Sequence, residues 1–155
     1  MLNNKLTSLH PDLRRVFARG LAAYAAAHPH GPTLSLNETS RSEPVQTAYF
    51  ARGRKALAVV LALYKTAGLG KLTIAEAGTK ISNAAYGNSA HNYEPSRAFD
   101  MKLEDAHGNY LGADAGYKTV WPFMQAAAIA ERVEITCGGT WKDWPHIELK
   151  HWRKM

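Results

Sequence analysis

Cysteine, long apolar runs and clustered charge are all scarce in this sequence. The chain of 155 residues has a single cysteine, Cys137, so it folds without an internal disulfide. Its most apolar run, ALAVVLALY at residues 56–64, is too short to cross a bilayer. The first residues, MLNNKLTSLHPDLRR, lack the apolar stretch of a secretory signal. We therefore expect a chain made in the cytoplasm that does not insert into membranes and needs help to reach any target outside the cell.

The net charge is +6, which favours an anionic partner. The basic residues are scattered along the chain, apart from the short KHWRKM at the C-terminal end. Nucleic-acid-binding proteins more often collect such residues on one helix or stripe, so we expect no nucleic-acid partner. Anionic lipids and the acidic polymers of a bacterial envelope also carry the required charge.

The apolar pattern predicts a single domain over residues 1–155, because internal repeats, low-complexity tracts and linker-like stretches are absent. A domain of this size buries roughly 68–70% of its unfolded surface, which is enough for a stable core. Residues 76–96 are rich in Gly, Asn and Ser and are predicted to be mostly loop. Helical spacing and strand-like alternation predict helices at 9–27, 46–67 and 116–131, and strands at 33–38, 98–104, 133–137 and 146–150. This order predicts an α+β fold, with a small antiparallel sheet and helices packed mainly on one face.

Two predicted strands each carry a polar residue suited to binding a metal. Apolar side chains alternate with Asp100 in residues 98–104 and with His146 in residues 146–150. Successive side chains of a strand point to opposite faces, so both residues are expected on the face away from the helices. His91 precedes Asp100 by a polar loop and is the third potential ligand.

Two histidines and one carboxylate match a catalytic zinc site, in which a water takes the fourth position. Zinc lowers the pKa of that water to about 7, and a nearby carboxylate is then needed as general base. Asp143, three residues before His146, could be that base. The spacing alone leaves other readings open: His91 and Asp100 could be a solvated loop residue and a strand-edge residue, and Asp143 could only form a turn.

Two segments resemble a known family. SAHNYEPSRAFD (residues 89–100) and CGGTWKDWPHIEL (residues 137–149) are similar to the zinc peptidases that include D-alanyl-D-alanine carboxypeptidases and L-alanyl-D-glutamate endopeptidases, in particular the compact bacteriophage endolysins. The family pattern is Ser-x-His, Ala-x-Asp and, after a Gly-Gly-x-Trp segment, Asp-x-x-His-x-Glu. The resemblance spans roughly residues 9–150 and implies a Hedgehog/D,D-peptidase-like fold. The segment EPSR lengthens the loop between the first two ligands by two residues relative to the family, which leaves the path of the loop open.

The resemblance also implies site residues. It assigns one Zn2+ per chain to His91, Asp100 and His146, and the role of catalytic acid/base to Asp143. The segment ETSRSEPVQTAYFARGR at residues 38–54 is similar to a family segment with an Arg-Ser or Arg-Thr pair, which makes Arg41 a residue for holding a substrate carboxylate or carbonyl oxygen.

A guanidinium suits the role expected of Arg41, because it is always charged and can donate two parallel hydrogen bonds. The alternative is a surface ion pair of Arg41 with Glu43, which would contribute little. Four further residues are expected to contact substrate: Ser89, Gln46, Trp141 and Trp144. Gln46 could instead only begin a helix, and the two tryptophans could pack in the core rather than form a groove wall.

The implied function is zinc-dependent hydrolysis of the stem peptide of bacterial peptidoglycan, at the L-Ala–D-Glu bond. One alternative is a D-alanyl-D-alanine carboxypeptidase, and one of another class is a non-catalytic zinc-containing module that binds the cell wall. We further expect a monomer without a separate cell-wall-binding domain, which is released to the wall through a holin during phage lysis and is therefore antibacterial.

Overall fold

The computed structural model describes residues 2–155, which form five α-helices and one four-stranded sheet. The helices are α1 (Pro11–Ala27), α2 (Glu43–Ala51), α3 (Leu57–Thr66), α4 (Ile74–Ala77) and α5 (Asp114–Glu131). The strands are β1 (Thr33–Glu38), β2 (Ala98–Glu104), β3 (Ile135–Cys137) and β4 (His146–Leu149). Short 3-10 helices lie at Leu6–Ser8, Ala90–Asn92, Gly138–Trp141 and Trp152–Lys154. Over residues 2–155, none of the helices has the length and apolar character that a membrane span requires.

The sheet has the strand order β1-β2-β4-β3, and every neighbouring pair is antiparallel. The central pair, β2 and β4, places Asp100 directly opposite His146. A bulge between Leu36 and Glu38 shifts the register of β1, so that Glu38 also lies opposite Asp100. The structure confirms the predicted α+β class and antiparallel sheet.

The apolar face of the sheet forms the main core with α1 and α5. The side chains that alternate with Asp100 and His146 are fully buried there: Phe99, Met101, Leu103 and Ile147. Phe17 of α1 meets Phe99 edge to face, with ring centroids 5.3 Å apart. Burying these four side chains stabilises the fold by roughly 1.5–3 kcal/mol each. The helices α2, α3 and α4 bury a smaller cluster of their own around Ala48, Val60 and Tyr64.

Several predicted elements have bounds that differ from those in the structure. The single helix predicted over 46–67 is wrong, because α2 ends at Ala51 and α3 begins at Leu57. Gly53 adopts a φ of +64°, which an α-helix does not allow, and helical spacing of apolar residues on both sides hides this break. The predicted strand at 133–137 is shorter, since only Ile135–Cys137 pairs with β4.

Candidate metal centre

The fold brings His91, Asp100 and His146 together on the face of the sheet opposite the main core. Asp100 and His146 face each other across β2 and β4. His91 arrives on the 3-10 helix Ala90–Asn92, whose first turn is capped by the hydroxyl of Ser89 accepting from the His91 amide at 3.4 Å. All three ligand side chains are largely withdrawn from solvent, with His91 1% and His146 8% exposed.

The three ligand atoms form a compact triangle. His146 Nδ1 lies 2.9 Å from Asp100 Oδ1, His91 Nε2 lies 3.4 Å from the same oxygen, and the two nitrogens are 3.2 Å apart. Ligands of tetrahedral zinc bind at about 2.0–2.1 Å, so their atoms lie about 3.3–3.4 Å from one another. The triangle therefore has nearly the dimensions of three corners of such a tetrahedron, and these residues could hold a metal ion.

Both imidazoles are oriented by a hydrogen bond from the nitrogen that does not face the triangle. His91 Nδ1 lies 2.5 Å from the carbonyl oxygen of Thr39, and His146 Nε2 lies 3.1 Å from Glu148 Oε2. Donation from these nitrogens leaves His91 Nε2 and His146 Nδ1 free to bind an ion. Carbonyl or carboxylate partners of this kind are usual behind metal-binding histidines, where they fix the tautomer and raise the basicity of the ligand.

The electrostatics of the triangle favour a charged carboxylate. Burial opposes ionisation of Asp100, but the charge of His91 and hydrogen bonds from both histidines hold its pKa well below the usual range. Burial also opposes charge on His146, yet its hydrogen bonds to Asp100 and Glu148 raise its pKa to about 10. An ion bound at Nδ1 would displace the proton there, which is the usual coupling between metal binding and proton release.

Asp143 lies beside the triangle, in the turn that leads into β4. Its amide donates to the carbonyl oxygen of Gly138 at 3.0 Å, and its own carbonyl accepts from the His146 amide at 3.1 Å. Asp143 is exposed at the rim of the cleft, but desolvation by the surrounding protein and then the charge of Asp100 raise the pKa of its carboxyl. A carboxyl with a raised pKa beside a metal is suited to accept and return a proton.

Arg41 is buried in the same cleft, with 10% of its side chain exposed. Its Nε and Nη2 donate to Glu38 Oε2 at 3.1 and 2.5 Å, and Nη2 also lies 3.4 Å from Asp100 Oδ2. Its Nη1 donates to Gln46 Oε1 at 3.1 Å. The ion partners of Arg41 are thus Glu38 and Asp100, and not Glu43 at the surface. A guanidinium has five N–H donors, so these contacts leave one for a substrate rather than a parallel pair.

The two predicted tryptophans have different surroundings. Trp141 is 48% exposed, lines the cleft, and its ring centroid is 6.0 Å from that of His146. Trp144 is half-buried against the main core, with the ammonium of Lys118 5.2 Å from the centroid of its ring. The structure therefore separates a cleft wall, Trp141, from a packing residue, Trp144.

The other two predicted substrate contacts also differ in access. Ser89 lines the cleft and is half-buried. Gln46 is fully buried, and its amide nitrogen donates to Ser82 Oγ at 2.9 Å and to the Ala84 carbonyl at 2.5 Å. Gln46 therefore holds Arg41 on one side and residues 82–84 on the other.

The long loop between His91 and Asp100 is anchored at one end of its EPSR segment. Glu94 and Pro95 are exposed, whereas Ser96 is fully buried. The Ser96 hydroxyl donates to the Ala98 carbonyl at 2.7 Å and lies 3.0 Å from the Thr39 carbonyl, the same oxygen that orients His91. Only the first half of the EPSR segment, Glu94 and Pro95, is thus exposed to solvent.

The cleft around the triangle has a volume of about 760 Å³. It adjoins a cavity of about 510 Å³ with which it shares Glu38, Arg41 and His91, and one of about 400 Å³ with which it shares Tyr49 and Ile81. Three cationic residues also line the cleft: Lys80, Lys142 and Arg153. The triangle therefore lies in a cleft that is larger than a single amino acid requires.

Four residues of the site carry roles that the sequence reasoning did not assign: Glu38, Thr39, Tyr49 and Glu148. The role of Glu148 had a readable signal, since His-x-Glu within a strand places both side chains on one face. Thr39 acts through its backbone carbonyl, for which a sequence offers no signal. Tyr49 lies in the cleft with the Arg41 guanidinium 5.0 Å from its ring centroid, and burial followed by the charge of Glu38 raises the pKa of its phenol, which stays protonated.

The arrangement defines a class of site: two histidines and one carboxylate in a cleft, on the open face of a small antiparallel sheet. The fold is similar to that of the L-Ala D-Glu endopeptidase ChiX from Serratia marcescens, with a TM-score of 0.57 and 21% sequence identity over 94% of this chain and 83% of that one. At this identity the likeness establishes a shared fold. No protein-family model and no curated protein matches the sequence.

Proposed function

We propose that this chain is a zinc-dependent peptidoglycan hydrolase that cleaves the stem peptide at the L-Ala–D-Glu bond. The observation that carries the proposal is the triangle of His91, Asp100 and His146, with its zinc-like dimensions and with Asp143 beside it. Its setting in a fold shared with an L-Ala D-Glu endopeptidase supports the choice of substrate.

Different residues have different roles in the proposed peptide hydrolysis. A zinc ion held by the triangle would supply Lewis-acid activation of water and of the scissile carbonyl. Asp143 takes the proton from the attacking water and passes it to the leaving amine nitrogen as the C–N bond breaks. Arg41 has one N–H left to hold a substrate oxygen, and Trp141 forms a wall against the peptide.

The size of the cleft favours an endopeptidase over a carboxypeptidase that removes terminal D-alanine. Its two adjoining cavities offer space for residues beyond the scissile bond on an extended stem peptide. One observation favours the carboxypeptidase, because Lys80, Lys142 and Arg153 line the cleft and would suit a terminal carboxylate. A wall-binding module without catalysis has no need of an acid/base beside the metal, so Asp143 argues against it.

Digestion of purified peptidoglycan, followed by mass analysis of the fragments, tests the proposal. We expect new amino-terminal D-Glu, and we expect a strong chelator to abolish its release and added zinc to restore it. Free D-Ala as the product would favour the carboxypeptidase, and binding without cleavage would favour the module. Activity that survives thorough metal removal would contradict the zinc assignment.

The biological setting that we propose is phage lysis, with the chain acting as a monomer on the wall after release through a holin. The similarity of residues 89–100 and 137–149 to compact phage endolysins supports it. Expression in a bacterium with and without a holin tests this setting, and rapid lysis that occurs without one would contradict it.

A further inference from the structure

Glu38 stands in the same row of the sheet as two of the triangle residues. Glu38 of β1 is opposite Asp100 of β2, which is opposite His146 of β4. Without the bulge in β1, strict alternation would place residue 38 on the same face as Leu34 and Leu36. The bulge instead brings Glu38 into register with Asp100. Bulges often re-aim a side chain beside an active site.

The Glu38 carboxylate is buried at a cost that packing alone does not explain. Glu38 is 3% exposed, and its Oε1 has no hydrogen-bond partner among residues 2–155. An apolar side chain at this place would have continued the alternation of β1 without that desolvation. A buried polar residue that breaks a local pattern without an evident gain in stability is most often found at a functional site.

The compensating contact of Glu38 is Arg41, which connects it to the triangle at two points. Two nitrogens of Arg41 donate to Glu38 Oε2, which fixes the plane of the guanidinium. In that position Nη2 also reaches Asp100 Oδ2 at 3.4 Å, and the Arg41 amide donates to the His91 carbonyl at 2.7 Å. The fork geometry is specific to arginine, since a lysine ammonium cannot fill it.

The two oxygens of Asp100 therefore have separate partners. Oδ1 faces the ring nitrogens of His146 and His91 at 2.9 and 3.4 Å, and Oδ2 faces Arg41. A carboxylate held in this way offers one oxygen to an ion and keeps the other occupied.

We propose that Glu38 is a positioning residue of the metal centre: it orients Arg41, and Arg41 in turn holds Asp100 as a one-oxygen ligand. The inference rests on the proposed function, because it concerns the same metal. Glu38 touches neither the metal nor the substrate in this role, so its effect reaches the site through Arg41.

Metal affinity provides the test, measured by competition of the purified full chain with a chromophoric zinc chelator. We expect Glu38→Gln to weaken zinc binding about 10- to 100-fold, the range typical of residues that support ligands. Its cobalt-substituted form should show a shifted absorption spectrum, which loss of fold stability alone would not produce. Glu43→Gln is the matched control, since Glu43 is exposed on the same segment and pairs with no arginine in the site. It should leave the zinc affinity unchanged.

A double-mutant cycle tests whether Glu38 acts through Arg41. In an Arg41→Gln background the additional change Glu38→Gln should alter zinc affinity by less than about threefold, because the two residues form one unit. An effect of Glu38→Gln that stays the same size in that background would overturn the proposed route. Zinc affinity and cobalt spectrum equal to those of the wild type in Glu38→Gln would overturn the role itself. If Glu38→Gln fails to fold, Glu38→Asp is the second variant, since it keeps the charge but places it one methylene further from Arg41. We expect its zinc affinity to lie between those of the wild type and of a chain without the charge. A zinc affinity of Glu38→Asp equal to that of the wild type would contradict the inference.

The outcomes for this inference and for the proposed function can be told apart. If the wild-type chain cleaves peptidoglycan and Glu38→Gln has unchanged zinc affinity and cobalt spectrum, the inference is wrong and the proposed function stands. If zinc binding depends on Glu38 but the chain cleaves no peptidoglycan, the proposed function is wrong and the inference stands. A wild-type chain that binds no zinc would overturn both.

Discussion

At the residue scale, Asp143 differs from Asp100 in what surrounds its carboxylate. Asp100 is hydrogen-bonded to His146 and paired with His91 and Arg41. Burial opposes its ionisation, but the two histidines hold its pKa well below the usual range. The Asp143 carboxylate has no hydrogen-bond partner among residues 2–155, and desolvation raises its pKa. One carboxylate is thus held as a permanent anion, and the other is left able to exchange a proton.

Replacing Asp143 should separate catalysis from metal binding. We expect Asp143→Asn to lower the rate of peptidoglycan cleavage about 10²- to 10⁴-fold, the usual contribution of a general acid/base, while zinc affinity stays at the wild-type level. Fragment release and chelator competition measure the two quantities. Asp114→Asn, a change at an exposed carboxylate on α5, is the control and should be nearly neutral. Full activity in Asp143→Asn would remove Asp143 from the mechanism.

Residue type was sufficient to point to His91, Asp100 and His146 as residues that could bind a metal, but it did not reveal all of the groups that orient them. Histidine and aspartate in alternating strands pointed to one face of the sheet, and the structure brings His91, Asp100 and His146 within contact there. Glu38 gave no such signal, because the bulge that re-aims it depends on how β1 pairs with β2. The roles of Trp141 and Trp144 likewise depend on which tertiary neighbour each ring meets.

At the element scale, the turn Gly138–Trp141 sets the distance between Asp143 and the triangle. A Cβ atom on Gly138 would overlap the carbonyl oxygen of Asp143 and lie 2.9 Å from the Cβ of His146. A Cβ on Gly139 would lie 2.7 Å from the ring of Trp144. The Gly-Gly pair is therefore required for the close approach of this turn to β4.

A methyl group added at Gly138 should lower the stability of the fold and weaken zinc binding, because it would displace the turn against His146. We expect Gly138→Ala to cost about 1–3 kcal/mol of the free energy of unfolding, as overpacking usually does, and also to weaken zinc binding because His146 must shift. Urea unfolding and chelator competition measure the two effects. The matched control is Gly70→Ala, where a new Cβ meets no atom within 4 Å. Equal behaviour of the two variants would contradict this account of the turn.

Elements were predicted well where the apolar period was unbroken. The predicted bounds of β1 and β2 agree with the structure, and those of α1 and α5 agree to within two residues. The predicted helix over 46–67 was wrong, since periodicity persisted across a backbone break at Gly53. The spacing of apolar residues indicates which face of a helix or strand is apolar, but it does not indicate whether the element is continuous.

At the scale of the whole molecule, stability and chemistry are divided between the two faces of the sheet. Apolar side chains of β2 and β4 pack under α1 and α5, where their burial stabilises the fold. The other face concentrates buried charge at Glu38, Arg41, Asp100 and His146. Such charge is costly to withdraw from water, and a bound cation would offset part of this cost.

Zinc should therefore raise the thermal stability of the whole domain. A ligand present at one hundred times its Kd adds about 2.7 kcal/mol. For a domain of this size that corresponds to a rise in Tm of about 5–10 °C. Thermal unfolding of the chain with zinc and with excess chelator measures the difference.

Two variants distinguish binding at the triangle from binding elsewhere. His91→Ala should lose the zinc-dependent rise in Tm, whereas His30→Ala, at an exposed histidine outside the site, should keep it. A rise that persists in His91→Ala would mean that the ion binds at another place.

The sequence by itself determined the class of fold and the face of the sheet on which Asp100 and His146 lie, and its resemblance to a known family pointed to a metal site of His91, Asp100 and His146 with Asp143 beside it. It could do so because strand alternation and residue chemistry are local properties that a chain carries in its order. The tertiary structure alone decided that Arg41 pairs with Glu38 and Asp100, that the Thr39 carbonyl orients His91, and that Trp141 rather than Trp144 faces the cleft. These contacts depend on strand register, one bulge and one tight turn, which arise only when segments distant in the chain pack together.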